Sequence, residues 1–151
     1  MHGEYFETRF WVSLEGITHF AMYEGCDWIV LSAFATTGQT WTLERNAAAD
    51  LALAARLRGV SPIVRVIGYS PRTKHAEPSW LVPMGLDTGR RLGVEFVQDA
   101  IYWISGGELY VVGCGGGVAH WVGSWRDRLD GLNTEAMRER LESYFPRGFQ
   151  L

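Results

Sequence analysis

Residues 100–113 read AIYWISGGELYVVG. Two runs rich in β-branched and aromatic residues flank Gly106-Gly107, a pair suited to the positive φ angles of a tight hairpin turn. This is the clearest local signal in the chain, and the rest of the fold can be read outward from it. Upstream lies TGRRLGVEFVQDA, residues 88–100. There Leu92 and Phe96 recur at helical spacing, Asp87 is placed to cap the start, and Gly89 and Gly93 leave room for close packing. Each glycine costs a helix about 1 kcal/mol relative to alanine, so something should press against that side.

Further upstream the pattern repeats with paired strands. IVRVIGY (63–69) and SWLVPM (79–84) are two β runs joined by a polar loop, with Pro83 ending the second. A helix precedes them. Thr42 caps it, Leu43, Ala47, Leu51, Ala54 and Leu57 recur at helical spacing, and Gly59 and Pro62 stop it. DWIVLSAFAT (27–36) is a continuous apolar run, the pattern of a buried central strand. YFETRFWVSL (5–14) alternates and gives a first strand, and GITHFAMYEG (16–25) is read as its hairpin continuation.

Downstream, CGGGVAHWVGSW (114–125) breaks the strand pattern, and residues 113–132 are read as a flexible link. Thr134 then caps a last helix bearing Met137, Leu141, Tyr144 and Phe145, ended by Pro146. The expected order is β(β)βαββαββα. That order predicts an α+β, two-layer domain: a mixed or mostly antiparallel sheet with helices packed on one face. The expected organisation is one domain over 1–112, followed by a glycine-rich corner and helical extension over 113–151 that packs on it or on a partner.

Composition narrows the function. The chain has 151 residues, 47% of them hydrophobic, which suits one folded domain and excludes disorder. A net charge of −3 gives nothing to draw it to the phosphates of duplex nucleic acid. No apolar run is long enough for a membrane helix, and the first residues lack the pattern of a signal peptide. Two cysteines, Cys26 and Cys114, form no disulfide framework. The expectation is a cytoplasmic protein with free thiols and no membrane contact.

The residues most able to carry chemistry sit in GYSPRTKHAEPSW, residues 68–80, which holds the only lysine, Lys74. Arg72, Lys74 and His75 can donate to an anion. Glu77 can orient Arg72 or His75, or accept from a ligand amine, and Ser79 and Trp80 follow as the chain enters a strand. The plain alternative is a solvated hairpin loop. Gln98, at the end of the second helix, offers donor and acceptor together. Asn46, a mediocre helix former, suits a hydrogen bond to another element. In the tail, Trp121 and Trp125 with Arg126 and Arg128 would present one interface face if helical. The alternative there is that the rings pack on the chain's own sheet.

Several of these stretches resemble a bacterial family known as domain of unknown function 3293. The likeness rests on YFETRFWV (5–12), an apolar strand ending in a Thr/Gly turn, Glu44 and Asn46 opening a helix, EPSWLV (77–82) and RRLGVEFVQDAIYW (90–103). It spans about residues 5–112, with the segment from Val118 onward outside it. Family members carry Asn-Pro-Gly where this chain has TTGQ (36–39), and glycine where it has Val97. The resemblance implies a small α+β domain with no known activity.

No recognisable nucleophile, phosphate loop or metal-ligand spacing is present. The expected function is therefore a non-catalytic binding protein that sequesters a small anionic or nucleotide-like ligand. Its pocket would lie near loop 72–80 and the end of helix 87–99, with no cofactor and no metal. One alternative is a protein–protein interaction or inhibitor module that uses the Trp/Arg-rich extension, as a homo-oligomer or on another protein. A second is an enzyme with a His75/Glu77 acid–base pair.

Overall fold

The computed structural model describes residues 3–21, 25–36 and 38–150. They form an α+β domain built on a mixed eight-stranded sheet of order β7-β6-β5-β2-β4-β3-β1-β8. The strands are β1 (Arg9–Ser13), β2 (Trp28–Leu31), β3 (Val64–Tyr69), β4 (Ala76–Pro83), β5 (Ala100–Ser105), β6 (Glu108–Gly113), β7 (His120–Ser124) and β8 (Leu129–Leu132). The helices are α1 (Leu14–Ala21), α2 (Leu43–Arg56), α3 (Leu86–Glu95) and α4 (Thr134–Glu142). All neighbouring strands pair antiparallel except β1 and β8, which run parallel.

The hairpin at 100–113 forms as its sequence dictates. Gly106 and Gly107 take φ of 58° and 80°, and Ser105 faces Glu108 across the turn. The apolar run at 28–31 is central, between β5 and β4, and all four of its residues are buried.

The sheet curls strongly. Phe10 on β1 and Tyr102 on β5 are four strand positions apart, which on a flat sheet would separate them by about 19 Å. Their ring centroids are 5.0 Å apart, edge to face. The same Phe10 meets the buried Trp125 at 5.0 Å. The concave side thus closes on a core of Phe10, Val12, Trp28, Val66, Leu81 and Tyr102, among others.

The convex side carries two clusters. α3 packs over Ile29 and Ile101, and its two glycines explain how closely. A Cβ on Gly89 would lie 2.8 Å from Ile29, and one on Gly93 would lie 2.4 Å from the Cys114 sulfur. α2 turns Ala47, Asp50, Leu53 and Leu57 inward. Asp50 takes an inward position because Arg65 of β3 stands opposite, with both guanidinium arms 2.7 Å from the two carboxylate oxygens. Arg65 in turn stacks on the Trp80 ring at 3.8 Å. α4 buries Met137, Leu141 and Phe145 against Phe34 and Ile67.

Several local expectations change. Residues 14–21 form helix α1, where a second strand was expected; residues 22–24 of that stretch lie outside the described residues. α1 packs on the concave side, with Gly16 against Val12 and Val64, so the helices do not all share one face. Residues 113–132 supply two strands, β7 and β8, instead of a link. Leu51 points to solvent. Gly85, not Asp87, precedes α3, and Asn133, not Thr134, caps α4, accepting from the Ala136 amide at 2.8 Å. Among the described residues no helix is long and apolar enough to cross a membrane.

Candidate functional site

The curl leaves a hollow at one end of the concave side. There the ends of β2 and β3 meet the starts of β1, β4 and β5. Its volume open to water centres is about 60 Å³. That is room for a few waters or a compact organic group.

β4 and the residue just before it deliver three of its lining side chains by alternation. His75, Glu77 and Ser79 fall two apart, so all reach the same side of the sheet, while Ala76 and Trp80 face the helices. His75 Nε2 lies 3.3 Å from Glu77 Oε2, with the carboxylate side chain only 22% exposed. Loop 70–75 is closed by two backbone bonds, Ser70 N–H to His75 O and Lys74 N–H to Ser70 O, and Lys74 sits at φ 64°.

The opposite wall comes from the end of α3. The Gln98 amide N–H donates to the Gly93 carbonyl at 2.8 Å and the Val97 N–H to Val94 at 3.1 Å. This is the Schellman ending of a helix, in which the left-handed residue is ordinarily glycine. Here it is Val97, at φ 57°. The chain thus retains with valine a geometry that ordinarily takes glycine. Gln98 emerges from that turn into the hollow. Its side-chain NH₂ donates to Phe34 O at 2.9 Å and Phe96 O at 3.1 Å.

The remaining polar lining is hydroxyl. Ser32 donates to Pro78 O at 2.9 Å and accepts from Phe34 N–H at 3.0 Å. Ser79 approaches Glu77 O at 3.4 Å, and Tyr102 approaches Tyr5 O at 3.3 Å. Burial pushes the Tyr102 phenol well above its ordinary pKa, so it stays protonated.

Of the residues singled out in the sequence, His75, Glu77, Ser79 and Gln98 come together in this hollow. Four do not line it. Arg72 turns outward and pairs with Glu7 at 2.9 Å. Lys74 is exposed at the loop tip. Trp80 lies beneath Arg65 on the helix side. Asn46 accepts from the Ala35 amide at 2.9 Å, a structural bond between α2 and the loop after β2.

The tail residues separate as well. Trp121 is 65% exposed on β7, while Trp125 is 1% exposed in the concave core: the segment is a strand with a register shift at Gly123 (φ 128°) and not a helix, so the two rings part. Arg126 is exposed. Arg128 donates to the carbonyls of Phe6, Thr8 and Val122. It ties the segment leading into β1 to β7.

Sequence reasoning missed Thr8, Ser32, Ser70 and Tyr102 in the lining. Ser32 and Ser70 each follow directly on an apolar strand, as Ser79 sits inside one. A small hydroxyl at several strand ends was the available signal. Tyr102 looked like ordinary hairpin core. Among the described residues no group of three His, Cys, Asp or Glu side chains gathers as metal ligands would.

No curated protein and no solved structure matches the chain. The family model described as a protein of unknown function (DUF3293) matches residues 31–101, a narrower span than the 5–112 over which the motifs resemble it. The matched span runs from the end of β2 to the start of β5 and includes Ser32, Ser70, His75, Glu77, Ser79 and Gln98 of the hollow. Over that span the chain is similar to the DUF3293 family.

Proposed function

We propose that this chain is a non-catalytic binding protein that takes a small polar ligand into the hollow at the end of its curled sheet. The observation that carries this reading is the convergence of Glu77, Ser79 and Gln98 with Ser32 and Tyr102 on one concavity, from four different elements or their ends. Polar groups gathered in a partly apolar concavity are the usual mark of a ligand site. Two features alter the ligand expected from sequence. The hollow, about 60 Å³, favours a compact group over a whole nucleotide. Arg72 and Lys74, the strongest anion donors of the loop, lie outside it.

Titration followed by amide NMR tests the reading. Small amines, polyols and carboxylates should be added in turn. One class should produce saturable shifts clustered at residues 75–79 and 98. The replacement Ser79→Phe, which fills the hollow, should abolish those shifts while the rest of the spectrum stays dispersed. Shifts scattered over the surface, or unaffected by Ser79→Phe, would remove the hollow as the site.

A second reading, a protein–protein module, is favoured by one observation: Trp121 and Val118 are 65% and 73% exposed beside the edge strand β7. Exposed tryptophan at a sheet edge suits a partner surface. Light scattering on the wild type and Trp121→Ala decides it. A defined oligomer that dissociates on substitution supports this surface, and a monomer in both cases speaks against self-association.

A further inference from the structure

We infer that the hollow receives a compact nitrogen cation with N–H donors, a primary ammonium or guanidinium head group, bound by Glu77. The inference rests on the ligand-binding reading above and names the chemical class of its ligand.

The donors and acceptors of the hollow decide its guest. A glutamine side chain has two N–H hydrogens, and a hydroxyl has one. Gln98 commits its NH₂ to Phe34 O and Phe96 O, which leaves its carbonyl oxygen as the only group it can offer. Ser32 commits its hydrogen to Pro78 O and retains lone pairs. The Ser79 and Tyr102 hydroxyls point theirs at Glu77 O and Tyr5 O, over longer distances of 3.4 and 3.3 Å. Ionised Glu77 is acceptor only.

Ser32, Ser79, Gln98 and Tyr102 thus point their hydrogens at backbone carbonyls, and what these four offer a guest is lone pairs. A guest that complements them must bring hydrogens. Anions bring none.

Charge agrees with the count. Among the described residues no arginine or lysine lines the hollow, Glu77 is its one carboxylate, and His75 beside it is its one base. A carboxylate only 22% exposed gains from a cation that donates directly to it, since charge-assisted hydrogen bonds are about twice as strong as neutral ones. Size agrees: a hollow of about 60 Å³ suits a head group of a few heavy atoms better than a large ring system.

The test is a set of NMR titrations of the full chain with methylammonium, tetramethylammonium, potassium, ethylene glycol, acetate and phosphate. Methylammonium should give saturable shifts at residues 75–79 and 98. Tetramethylammonium, equal in charge but without N–H donors, and potassium should not compete with it. Glu77→Gln should weaken methylammonium binding by about tenfold or more, the loss expected for a hydrogen bond to a charged group.

Ser79→Ala provides a second variant should Glu77→Gln fold poorly, and should weaken binding by a smaller factor. Saturable binding of acetate, phosphate or ethylene glycol in the hollow without methylammonium would overturn the cation and leave the binding reading standing. So would equal affinity for tetramethylammonium. If none of the six perturbs these residues, both readings fall.

Discussion

Asn46 and Gln98 grip the two sides of one peptide unit. Asn46 Oδ1 accepts from the Ala35 N–H at 2.9 Å, and Gln98 Nε2 donates to the Phe34 carbonyl at 2.9 Å. The unit lies in the loop that leaves the central strand, and the two side chains come from α2 and from the end of α3. Three segments of the family-matched span are locked through a single amide plane. Asn46→Ala should cost about 1–3 kcal/mol, because the Ala35 donor is left unsatisfied in a part-buried place. In a double-mutant cycle, Asn46→Ala and Gln98→Ala should couple by at least about 0.5 kcal/mol, since they share that unit. Urea denaturation reads both numbers, and strict additivity would show that the two bonds act independently.

Val97 occupies the left-handed position of the α3 ending at φ 57°, and it is 59% exposed. A β-branched residue there is strained by about 1–2 kcal/mol. Glycine removes the strain but adds freedom to the unfolded chain, a loss of about 0.4–1 kcal/mol. Val97→Gly should therefore raise stability by about 0.5–1 kcal/mol. The urea midpoint should rise with an unchanged slope. A fall in the midpoint would mean that Val97 contributes packing that its exposure conceals.

Gly93 and Cys114 define the closest approach of α3 to the sheet. A methyl on residue 93 would sit 2.4 Å from the Cys114 sulfur and 3.2 Å from Ile101. Gly93→Ala should destabilise by about 1–3 kcal/mol through overpacking. Adding Cys114→Ala should recover part of that loss, which thermal melts of the single and double variants can measure. Burial and the nearby Asp99 charge raise the Cys114 thiol to about 11, so it should resist a thiol reagent in the native protein.

Acid should release the last strand. Hydrogen bonding from Arg9 holds the Asp130 carboxyl below its usual range against the opposing effect of burial, and Tyr69 also donates to it. The folded-state pKa lies below the unfolded value of about 3.9, so the contribution is complete above that pH and disappears as pH falls through the folded value. Asp130→Asn should flatten the loss of stability below about pH 4 and lower stability near pH 7. Equal acid slopes for the two proteins would show that other carboxylates govern the transition.

The parts of the fold that were legible obey local rules. The glycine hairpin, the apolar central strand, the Thr42 cap and the glycines of α3 each follow from two or three adjacent residues. What failed depends on distant partners. Residues 14–21 could become helix only because Gly16 fits between Val12 and Val64. Strands β7 and β8 exist because β6 and β1 offer them edges, which no period in the glycine-rich tail announces. Asp50 replaced an apolar residue on the inner face of α2 because Arg65 is across from it. The hollow shows the same division: β4 alternation brought His75, Glu77 and Ser79 together, whereas Tyr102 joined them through curvature that sequence spacing does not encode.

The parallel pairing of Phe10 with Leu129 bears on how the chain is born. A ribosome exposes the first strand long before the eighth exists, and that strand's outer edge must wait for most of the polypeptide to be made. Pairings between such remote positions form late and slowly. Any nascent chain stalled short of residue 129 carries an open, sticky border, so truncation at the C-terminus should be read out as aggregation before it is read out as lost binding.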